Sequence, residues 1–360
     1  MATICQIACG MIGKVMALDI SKRHDLHLSD LDESALKEVK TLDPTIKTKC
    51  FNVNDSDMLR SFLKPADIVL LAVPGYMGYK LLEKIIEFKK NIVDISFSPE
   101  NILSLDKKAK DNNITVIFDA GLAPGIPNFL LGNINAKENV KSFKYFVGGL
   151  PKHPKPPYYY KAPFSPIDVI EEYTRPARIM KNGKVITKPA LTDIEEKVYQ
   201  NTGMLEGFNT DGLRSLLYTM KHIPNMVEKT LRFPGHAKLI SEEIKSGKII
   251  PGNKSNLQRL FKIWRLLPDD LEFTVLDVII ETEESTHNYF LFDETNLKEN
   301  TSSMARATGY TASATIDILA QNIFIEKGVF PPEKVGSKLQ VIDYLVNHLR
   351  KRDILLEKII

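Results

Sequence analysis

The chain has 360 residues, and its 48 Lys plus Arg nearly balance its 45 Asp plus Glu, giving a formal charge of +3. This balance argues against a dedicated nucleic-acid-binding protein. Hydrophobic residues make up 43% of the chain and charged residues 26%, which excludes a disordered or fibrous protein. At this length a single core stops growing, so we expect two domains.

Several site classes are excluded by residue type and spacing. The three cysteines, Cys5, Cys9 and Cys50, form no C-x-x-C pair, which excludes a disulfide framework or a thiolate zinc site and fits a reducing cytoplasm. The seven histidines have no close metal-ligand spacing, so we expect no metal site. No phosphate loop, G-x-S-x-G elbow or membrane-length apolar run occurs, and the N-terminal stretch lacks the basic start of a signal peptide.

The N-terminus predicts a strand, a glycine loop and a helix. The apolar run Ile4–Ala8 meets Gly10 and Gly13 in the sequence A-C-G-M-I-G, and residues 14–18 continue with helical composition. Glycines in such a loop let the backbone approach a pyrophosphate at a helix N-terminus. Alanine stands where the dinucleotide-binding pattern has its first glycine, and alanine tolerates that turn less well. The loop residues expected to contact the cofactor are Cys9, Gly10, Met11, Ile12 and Gly13.

The next strand, Leu26–Ser29, ends at Asp30, which lies 20 residues beyond Gly10. An acid at the tip of the second strand binds the ribose hydroxyls and repels a 2′-phosphate, so this residue favours NAD over NADP. We expect the thiol of Cys9 to be a packing group rather than a redox centre.

Three further apolar strands follow at residues 67–73, 91–95 and 115–119, with helical segments between them. Alternation of this kind predicts a parallel sheet that is covered on both faces. Ligands of such sheets bind at the carboxyl ends of the strands. The candidate nicotinamide contacts at those ends are Val73, Pro74, Asp94, Ser96, Asp119 and Gly121.

The remainder of the chain predicts an α+β domain. Two strands, 177–180 and 185–187, flank an Asn-Gly pair, which is a strong hairpin signal, and a second antiparallel pair is expected at 273–280 and 289–292. We expect the proline-rich stretch 151–166 to be an ordered loop. The predicted domains are a Rossmann domain at 1–121, an α+β substrate domain at 122–308 and C-terminal helices at 309–360 that return to the first domain.

Six segments spread over the chain resemble those of the saccharopine dehydrogenase-like family, in particular its lysine 6-dehydrogenase branch. They are residues 119–128 (DAGLAPGIPN), 148–151 (GGLP), 173–178 (YTRPAR), 211–214 (DGLR), 230–236 (TLRFPGH) and 304–309 (MARATG). The resemblance implies an α/β protein in which a Rossmann-type NAD(P)-binding domain precedes a second α+β substrate and dimerisation domain. It also implies a homodimer that acts on a small amino-acid substrate. Together with the composition and Asp30, this predicts a cytoplasmic protein that uses NAD and has no nucleic acid or membrane partners.

By that resemblance, the reaction would be NAD-dependent oxidative deamination of the L-lysine ε-amine. The products would be ammonia and 2-aminoadipate 6-semialdehyde, which cyclises to piperideine-6-carboxylate. Hydride leaves only from a neutral amine, and a lysine amine has a pKa of about 10.4, so a positioned base is needed. Asp119 is the first candidate and Asp94 the second, although either aspartate could instead cap the following turn. His236 is a candidate proton shuttle.

The substrate α-carboxylate calls for a guanidinium partner. The choices are Arg175, Arg178, Arg214, Arg232 and Arg306, of which Arg214 and Arg232 lie in the most family-like segments; either could instead serve a structural contact. Asp211 could bind the α-ammonium or cap a helix. Two alternatives to a lysine dehydrogenase stay open: a saccharopine- or carboxyspermidine-type reductase that condenses an amine with a carbonyl compound, and a non-catalytic NAD-binding regulatory protein.

Overall fold

The computed structural model describes residues 1–250, 252–267 and 269–359, and these form two compact units. The first unit contains Met1–Asn133 and Ala305–Arg352. The second contains Ile134–Met304 and the C-terminal residues from Asp353 onward.

The elements are numbered in chain order. Up to residue 135 they are β1 (Thr3–Ile7), α1 (Met11–Ile20), β2 (Asp25–Asp30), α2 (Glu33–Leu42), β3 (Lys47–Cys50), α3 (Ser56–Leu63), β4 (Ile68–Leu71), α4 (Gly75–Ile86), β5 (Asn91–Asp94), a 3-10 turn (Ile102–Leu105), α5 (Asp106–Asp111), β6 (Thr115–Ile117) and α6 (Ile126–Asn135). The middle of the chain forms β7 (Val140–Pro151), α7 (Pro166–Thr174), β8 (Ala177–Lys181), β9 (Lys184–Lys188), β10 (Glu195–Tyr199), β11 (Gly203–Asn209), α8 (Leu216–Thr219), β12 (Asn225–Arg232), α9 (His236–Lys245), α10 (Lys254–Trp264), β13 (Glu272–Thr282) and β14 (Thr286–Glu294). The last elements are α11 (Ser303–Ala320), β15 (Gly328–Phe330), α12 (Pro332–Val335), α13 (Leu339–Arg350) and β16 (Glu357–Ile359).

The first unit is built on a parallel sheet in the order β15-β6-β5-β4-β1-β2-β3. Every residue of β4 is buried, as expected for a central strand covered on both faces. From β1 the chain adds β2 and β3 on one side of the sheet, and from β4 it adds β5 and β6 on the other side. Ligands of open α/β sheets bind at the point between these two halves. The five strands predicted for this part of the chain are confirmed. The strand β3 was not predicted because its sequence, K-T-K-C, is that of a partly exposed edge strand.

The second unit is built on a mixed sheet whose main path is β10-β11-β12-β7-β13-β14-β16. Strands β7 and β12 are parallel, whereas β13 pairs antiparallel with both β7 and β14. The predicted hairpin is confirmed: β8 and β9 pair through Asn182 and Gly183, whose φ angles of 49° and 73° suit a two-residue turn. The expected fold class, a Rossmann-type domain with a second α+β domain, is therefore confirmed.

The observed units differ from the predicted boundaries at both ends. The first unit reaches Asn133 rather than residue 121, because α6 packs closely on α12. A Cβ on Gly132 would lie 2.1 Å from the Glu333 carbonyl oxygen, and Asn128 Nδ2 donates to Glu333 Oε2 at 3.0 Å. Residues 305–352 lie in the first unit, whereas β16 pairs with β14 in the second.

A buried ion network joins α1 to α11 and α13 in the first unit. Asp19 accepts hydrogen bonds from Arg23 Nη2 at 3.0 Å and from Arg352 Nε at 2.8 Å, while Asp317 accepts from Arg23 Nε at 3.0 Å. His348 lies between the two carboxylates. Burial alone would raise the pKa of Asp19, but the hydrogen bonds from His348, Arg352 and Arg23 outweigh it and hold that pKa well below its usual range.

Neither a membrane-spanning helix nor a metal-binding cluster occurs among the described residues. Over the described ranges, no helix combines the length and the apolar character that a bilayer span requires. The same residues contain no group of three or more His, Cys, Asp or Glu side chains arranged to hold a metal ion.

Candidate functional site

The glycine loop of the first unit connects β1 to α1 and is held in place by hydrogen bonds from one side chain of β1. Gln6 Nε2 donates to the carbonyl oxygens of Ala8 at 3.0 Å and Gly13 at 2.7 Å. Ala8 has a φ of 80°, a left-handed conformation in which glycine is favoured. A Cβ on Gly13 would lie 2.6 Å from Ala8 O, so this glycine permits the close approach of loop and helix.

The N-terminus of α1 suits a bound anion. Gly10 is its N-cap and provides no side-chain cap, and a Cβ there would meet no atom within 4 Å. The first amides of a helix carry a partial positive charge and bind phosphates readily. The predicted contact residues Met11 and Ile12 lie in this first turn and are at least partly exposed. These features fit the pyrophosphate of a dinucleotide.

Asp30 ends β2 and connects the glycine loop to the β2–α2 turn. Its Oδ2 accepts the Cys9 amide at 2.6 Å, and its Oδ1 accepts the Asp32 amide at 2.8 Å. The side chain is half-buried, so part of the carboxylate is accessible. Burial, with a smaller contribution from the Asp30 charge, raises the pKa of the Cys9 thiol to about 12, so the thiol stays protonated.

The other predicted cofactor contacts lie at the carboxyl ends of β4, β5 and β6. Val73 is buried, Pro74 is the N-cap of α4, and Ser96 donates its amide to Asp94 Oδ1 at 2.8 Å. Gly121 approaches Thr308 of α11, whose Cγ2 would lie 3.1 Å from an added Cβ. The sheet order places this group on the same edge as Asp30.

The two candidate bases are also on that edge. Asp94 is the last residue of β5 and is fully buried, and the Ala120 amide donates to its carbonyl oxygen at 3.3 Å. Asp119 follows β6 in a left-handed conformation, with a φ of 55°, and is 4% exposed. The β5–β6 pairing brings both aspartates to neighbouring strand ends, while the choice between them stays a prediction.

In the second unit, Asp211 is fully engaged by Arg178. Asp211 Oδ1 accepts the Arg178 amide at 3.1 Å and Nε at 2.9 Å, and Oδ2 accepts Nη2 at 2.8 Å. This bidentate pair anchors the loop after β11 to β8. The observed partner of Asp211 is therefore Arg178, and its predicted contact with the substrate ammonium stays a prediction.

The predicted arginines lie in different surroundings. Arg214 is buried in that same loop with a φ of 46°, and Arg175 ends α7 in an ion pair with Glu171 at 3.2 Å. Arg306 belongs to the first unit, where its Nη2 donates to the Arg352 carbonyl oxygen at 2.9 Å. Arg175 and Arg306 therefore bond to different groups in different units.

Arg232 is buried within an aromatic cluster of the second unit. Its Nε donates to Tyr173 Oη at 2.8 Å, its Nη2 contacts Glu172 Oε2 at 3.2 Å, and its guanidinium carbon lies 4.4 Å from the centre of the Tyr160 ring. Burial raises the pKa of Glu172, and the Arg232 charge opposes that effect. The guanidinium is thus paired within the protein.

His236 begins α9 and contacts the same cluster. Its Nδ1 donates to the Tyr158 carbonyl oxygen at 2.8 Å, which leaves Nε2 to accept a hydrogen bond from Tyr173 Oη at 3.0 Å. Burial, together with the positive charge of Arg232, lowers the pKa of His236 to about 3. The imidazole is therefore neutral at physiological pH, and its predicted proton-shuttle role stays a prediction.

Two buried glutamates in the second unit escaped prediction from the sequence. Burial raises the pKa of Glu228 to about 8, and its carboxyl is held by Thr210 and by the Gly212 amide. Burial likewise raises the pKa of Glu272 to about 7. Each glutamate lies in a segment whose sequence is typical of a strand. Only the pairing of the strands in the folded sheet shows that both side chains are buried.

Comparison with known proteins identifies the family of the chain. The saccharopine dehydrogenase NADP binding domain matches residues 4–117, and the saccharopine dehydrogenase C-terminal domain matches residues 121–355, well over half of the chain. The chain belongs to the saccharopine dehydrogenase family. The first match also identifies the first unit as a pyridine-nucleotide-binding domain, without deciding between NAD and NADP.

Individual relatives match only part of their own length. The chain is 28% identical over 223 residues to the mitochondrial alpha-aminoadipic semialdehyde synthase of Mus musculus, covering 56% of this chain and 24% of the mouse protein. It is 28% identical over 201 residues to the saccharopine dehydrogenase [NADP(+), L-glutamate-forming] of Pyricularia oryzae, covering 52% and 45%. The chain thus spans about a quarter of the first relative and under half of the second.

A solved structure supports the fold across the whole chain. Apo saccharopine dehydrogenase (L-Glu forming) from Saccharomyces cerevisiae aligns with a TM-score of 0.77 over 100% of this chain and 99% of that one. The sequence identity is 18%, so this likeness shows the fold alone.

Proposed function

We propose that this saccharopine dehydrogenase family member is an NAD-dependent dehydrogenase that oxidises the ε-C–N bond of L-lysine. Two electrons and one proton leave the substrate as hydride, and water hydrolyses the resulting imine to 2-aminoadipate 6-semialdehyde and ammonia. The observation that carries the proposal is the half-buried carboxylate of Asp30, fixed to the glycine loop at the cofactor end of β2.

The charge around Asp30 supports NAD as the cofactor. Asp32 and Glu33 follow in the same turn, and Lys37, one helical turn further on, is already paired with Glu33 at 3.1 Å. Lys14 is paired with Glu38. A ribose diol can donate to a carboxylate, whereas a 2′-phosphate would meet like charge here. This supports NAD even though the Pyricularia oryzae relative and the matching N-terminal family domain are named for NADP.

The remaining roles fall to groups at the same sheet edge. A bound oxidised pyridine nucleotide supplies the hydride acceptor. Asp119, with Asp94 as the alternative, orients the substrate amine and accepts its proton, since hydride can leave only from the neutral amine. Both side chains are buried, which keeps bulk water away from the carboxylate that holds the proton.

Lysine carries a single carboxylate, for which Arg214 is the candidate ligand. Three other arginines of the second unit have carboxylate partners: Arg178 is bound to Asp211, Arg232 to Glu172, and Arg175 to Glu171.

A saccharopine-type reductase is the second candidate, because the fungal relative is named for that substrate. In that reaction an amine and a carbonyl compound condense, and reduced cofactor delivers hydride to the imine. The two candidates differ in what must be added before cofactor absorbance changes.

The test is cofactor turnover by the purified full chain at mildly alkaline pH. We expect L-lysine with NAD to produce NADH, and L-lysine with NADP to react at least tenfold more slowly. Oxidation of NADPH or NADH only when an amine and a carbonyl acid are both present would instead establish the reductase. Cofactor binding with no turnover in either assay would establish the non-catalytic alternative.

A matched pair of variants tests the cofactor assignment. Asp30→Asn keeps an oxygen acceptor for the Cys9 amide but removes the charge. We expect this variant to bind NAD about tenfold more weakly and to show a smaller difference between its affinities for NAD and NADP. Asp55→Asn, which alters the N-cap of α3 in the same unit, is the control and should leave both affinities unchanged. Equal NAD affinity in all three proteins by calorimetry would refute the role of Asp30.

A further inference from the structure

One face of the second-unit sheet carries a row of buried polar side chains. Glu206 of β11 pairs with Arg232 of β12, and Thr274 of β13 lies between Gly149 of β7 and Asp293 of β14. Strands β12 and β7 are parallel, and Thr230 pairs with Val147. Continuing that register by two residues places Arg232 beside Gly149. The positions 149, 206, 232, 274 and 293 therefore share one face of the sheet. The four side chains of this row are buried. Buried polar groups need partners, and Glu206, Arg232 and Thr274 each have one within the second unit.

Glu272 lies on the same face, two residues before Thr274, and holds the start of α11. It is 1% exposed, and its Oε1 accepts the Met304 amide at 3.1 Å. The neighbouring Ser303 hydroxyl is bonded to the Thr274 hydroxyl at 2.7 Å. The Ser303 hydroxyl and amide also interact with this carboxyl, but Oε2 of Glu272 is buried and has no partner within hydrogen-bond geometry among the described residues.

Glu206 provides an internal comparison. It is also buried on this face and also holds the start of a helix, α9. Its Oε2 accepts the Gly235 amide at 2.8 Å, and its Oε1 accepts the Ala237 amide at 2.7 Å. A glutamate whose only task is to cap a helix can therefore use both oxygens in this sheet. Glu272 performs the same task with one oxygen to spare.

A spare buried carboxylate oxygen needs a donor. Leaving a buried acceptor unsatisfied costs about 1–3 kcal/mol, and more for a charged group. Burial raises the pKa of Glu272, and the nearby Asp293 carboxylate adds a smaller contribution in the same direction. Over the row, a Cβ added to Gly149 would lie 2.7 Å from Met304 Cε and 2.8 Å from Pro163 Cγ, so these two side chains occupy the space beside the glycine. Of the two, the unbranched Met304 side chain is the more adaptable.

We propose that Glu272 Oε2 is a substrate-binding group that accepts an N–H from a cationic nitrogen of the substrate. This inference rests on the proposed function for its substrate, a diamino acid, and adds a ligand that the sequence did not indicate. Glu272 then has two roles on one carboxyl, with Oε1 fixing α11 and Oε2 binding the ammonium. Asp211, the acid expected for this task, is neutralised by Arg178.

The test compares Glu272→Gln with Glu206→Gln in the full chain. The glutamine at 272 keeps an oxygen for the Met304 amide but loses the negative charge. We expect L-lysine affinity, measured by calorimetry at pH 8, to fall at least tenfold in Glu272→Gln and to change less than twofold in Glu206→Gln. Equal L-lysine affinity in wild type and Glu272→Gln would overturn the inference and reduce Glu272 to a helix cap.

The pH dependence of the wild type tests the inference without any variant. Because the pKa of Glu272 is raised to about 7, its charge is present above that pH and lost below it. L-lysine affinity should therefore fall by about tenfold from pH 8 to pH 6, and an affinity that is flat over this range would contradict the role of Glu272.

A second probe, methylammonium, separates this inference from the proposed function. If L-lysine does not bind but methylammonium does, and Glu272→Gln abolishes that binding, the proposed substrate is wrong and the acceptor stands. If neither cation binds to the wild-type protein, the acceptor is refuted.

Discussion

Replacing Ala8 with glycine should stabilise the first unit, although it removes a side chain. Ala8 holds a φ of 80° at the turn from β1 into the glycine loop. A non-glycine residue in a left-handed conformation stores about 2 kcal/mol of strain. Its hydrogen bonds, to Ser29 O at 2.8 Å and from Gln6 Nε2 at 3.0 Å, use the main chain and survive the change.

Two smaller effects oppose this gain. Glycine gives the unfolded chain more freedom, at a cost of roughly 0.4–1 kcal/mol. The half-buried methyl of Ala8 also packs against the core of the first unit, and its loss costs about 0.4 kcal/mol, half the value for a fully buried methylene. The net stabilisation is about 0.5–1 kcal/mol, which raises the melting temperature of a unit of this size by roughly 1–4 °C.

Differential scanning calorimetry of Ala8→Gly beside Ala35→Gly measures this effect. Ala35 lies in α2 of the same unit, where glycine costs about 1 kcal/mol, so the same chemical change should lower the melting temperature there. The free energies of unfolding of the two variants should change in opposite directions and differ from each other by about 1.5–2 kcal/mol. A melting temperature for Ala8→Gly as low as that of Ala35→Gly would refute strain at Ala8.

Three further outcomes are expected. Gly13→Ala should lose about 1–3 kcal/mol of stability because its Cβ would lie 2.6 Å from a carbonyl oxygen of the loop. Gly10→Ala, whose Cβ would meet no atom within 4 Å, should lose less than about 1 kcal/mol, the cost of alanine at an N-cap; equal losses by calorimetry would contradict the close approach. The pKa values of Asp19 and Asp317 are held low in the folded state, so the stability that these two carboxylates contribute is complete above pH 4–5 and should be lost as acid protonates them. Urea unfolding at pH 5 and pH 3 measures this loss. Equal stability at the two pH values would exclude the ion network as a contributor. The pKa of Glu228 is raised to about 8, so its protonated carboxyl favours the folded state, and this contribution to stability declines between about pH 4.5 and pH 8. Glu228→Gln should therefore have a higher melting temperature than wild type at pH 8 but not at pH 5. The reverse order would show that the carboxyl is ionised in the folded protein.

The first unit could be predicted in detail because its signals are local. Each strand of its centre is a continuous apolar run, and the glycine loop and Asp30 are separated by a fixed length of chain. Even Ala8, the departure from the glycine pattern, adopts the left-handed conformation that the pattern requires. Local sequence could not reveal Gln6, whose amide supports the loop, because a glutamine within a strand has no distinctive spacing.

The polar groups of the second unit depend on contacts between distant residues. Asp211 is neutralised by Arg178, 33 positions earlier, and Arg232 is bound by Tyr173, 59 positions earlier. Glu272 faces the covered side of the sheet because β13 pairs with β7 in one register, and a shift of one residue would turn it outward. Residue type alone therefore nominated candidate groups and left their partners undetermined.

Oxidation of L-lysine labelled with nitrogen-15 at the ε-position tests the central proposal most directly. With wild-type protein and NAD, we expect one labelled ammonia for each NADH formed, and a cyclised product that retains only the unlabelled α-nitrogen by mass spectrometry. Unlabelled ammonia, or label retained in a condensed product that forms only with a carbonyl partner, would contradict a lysine ε-dehydrogenase.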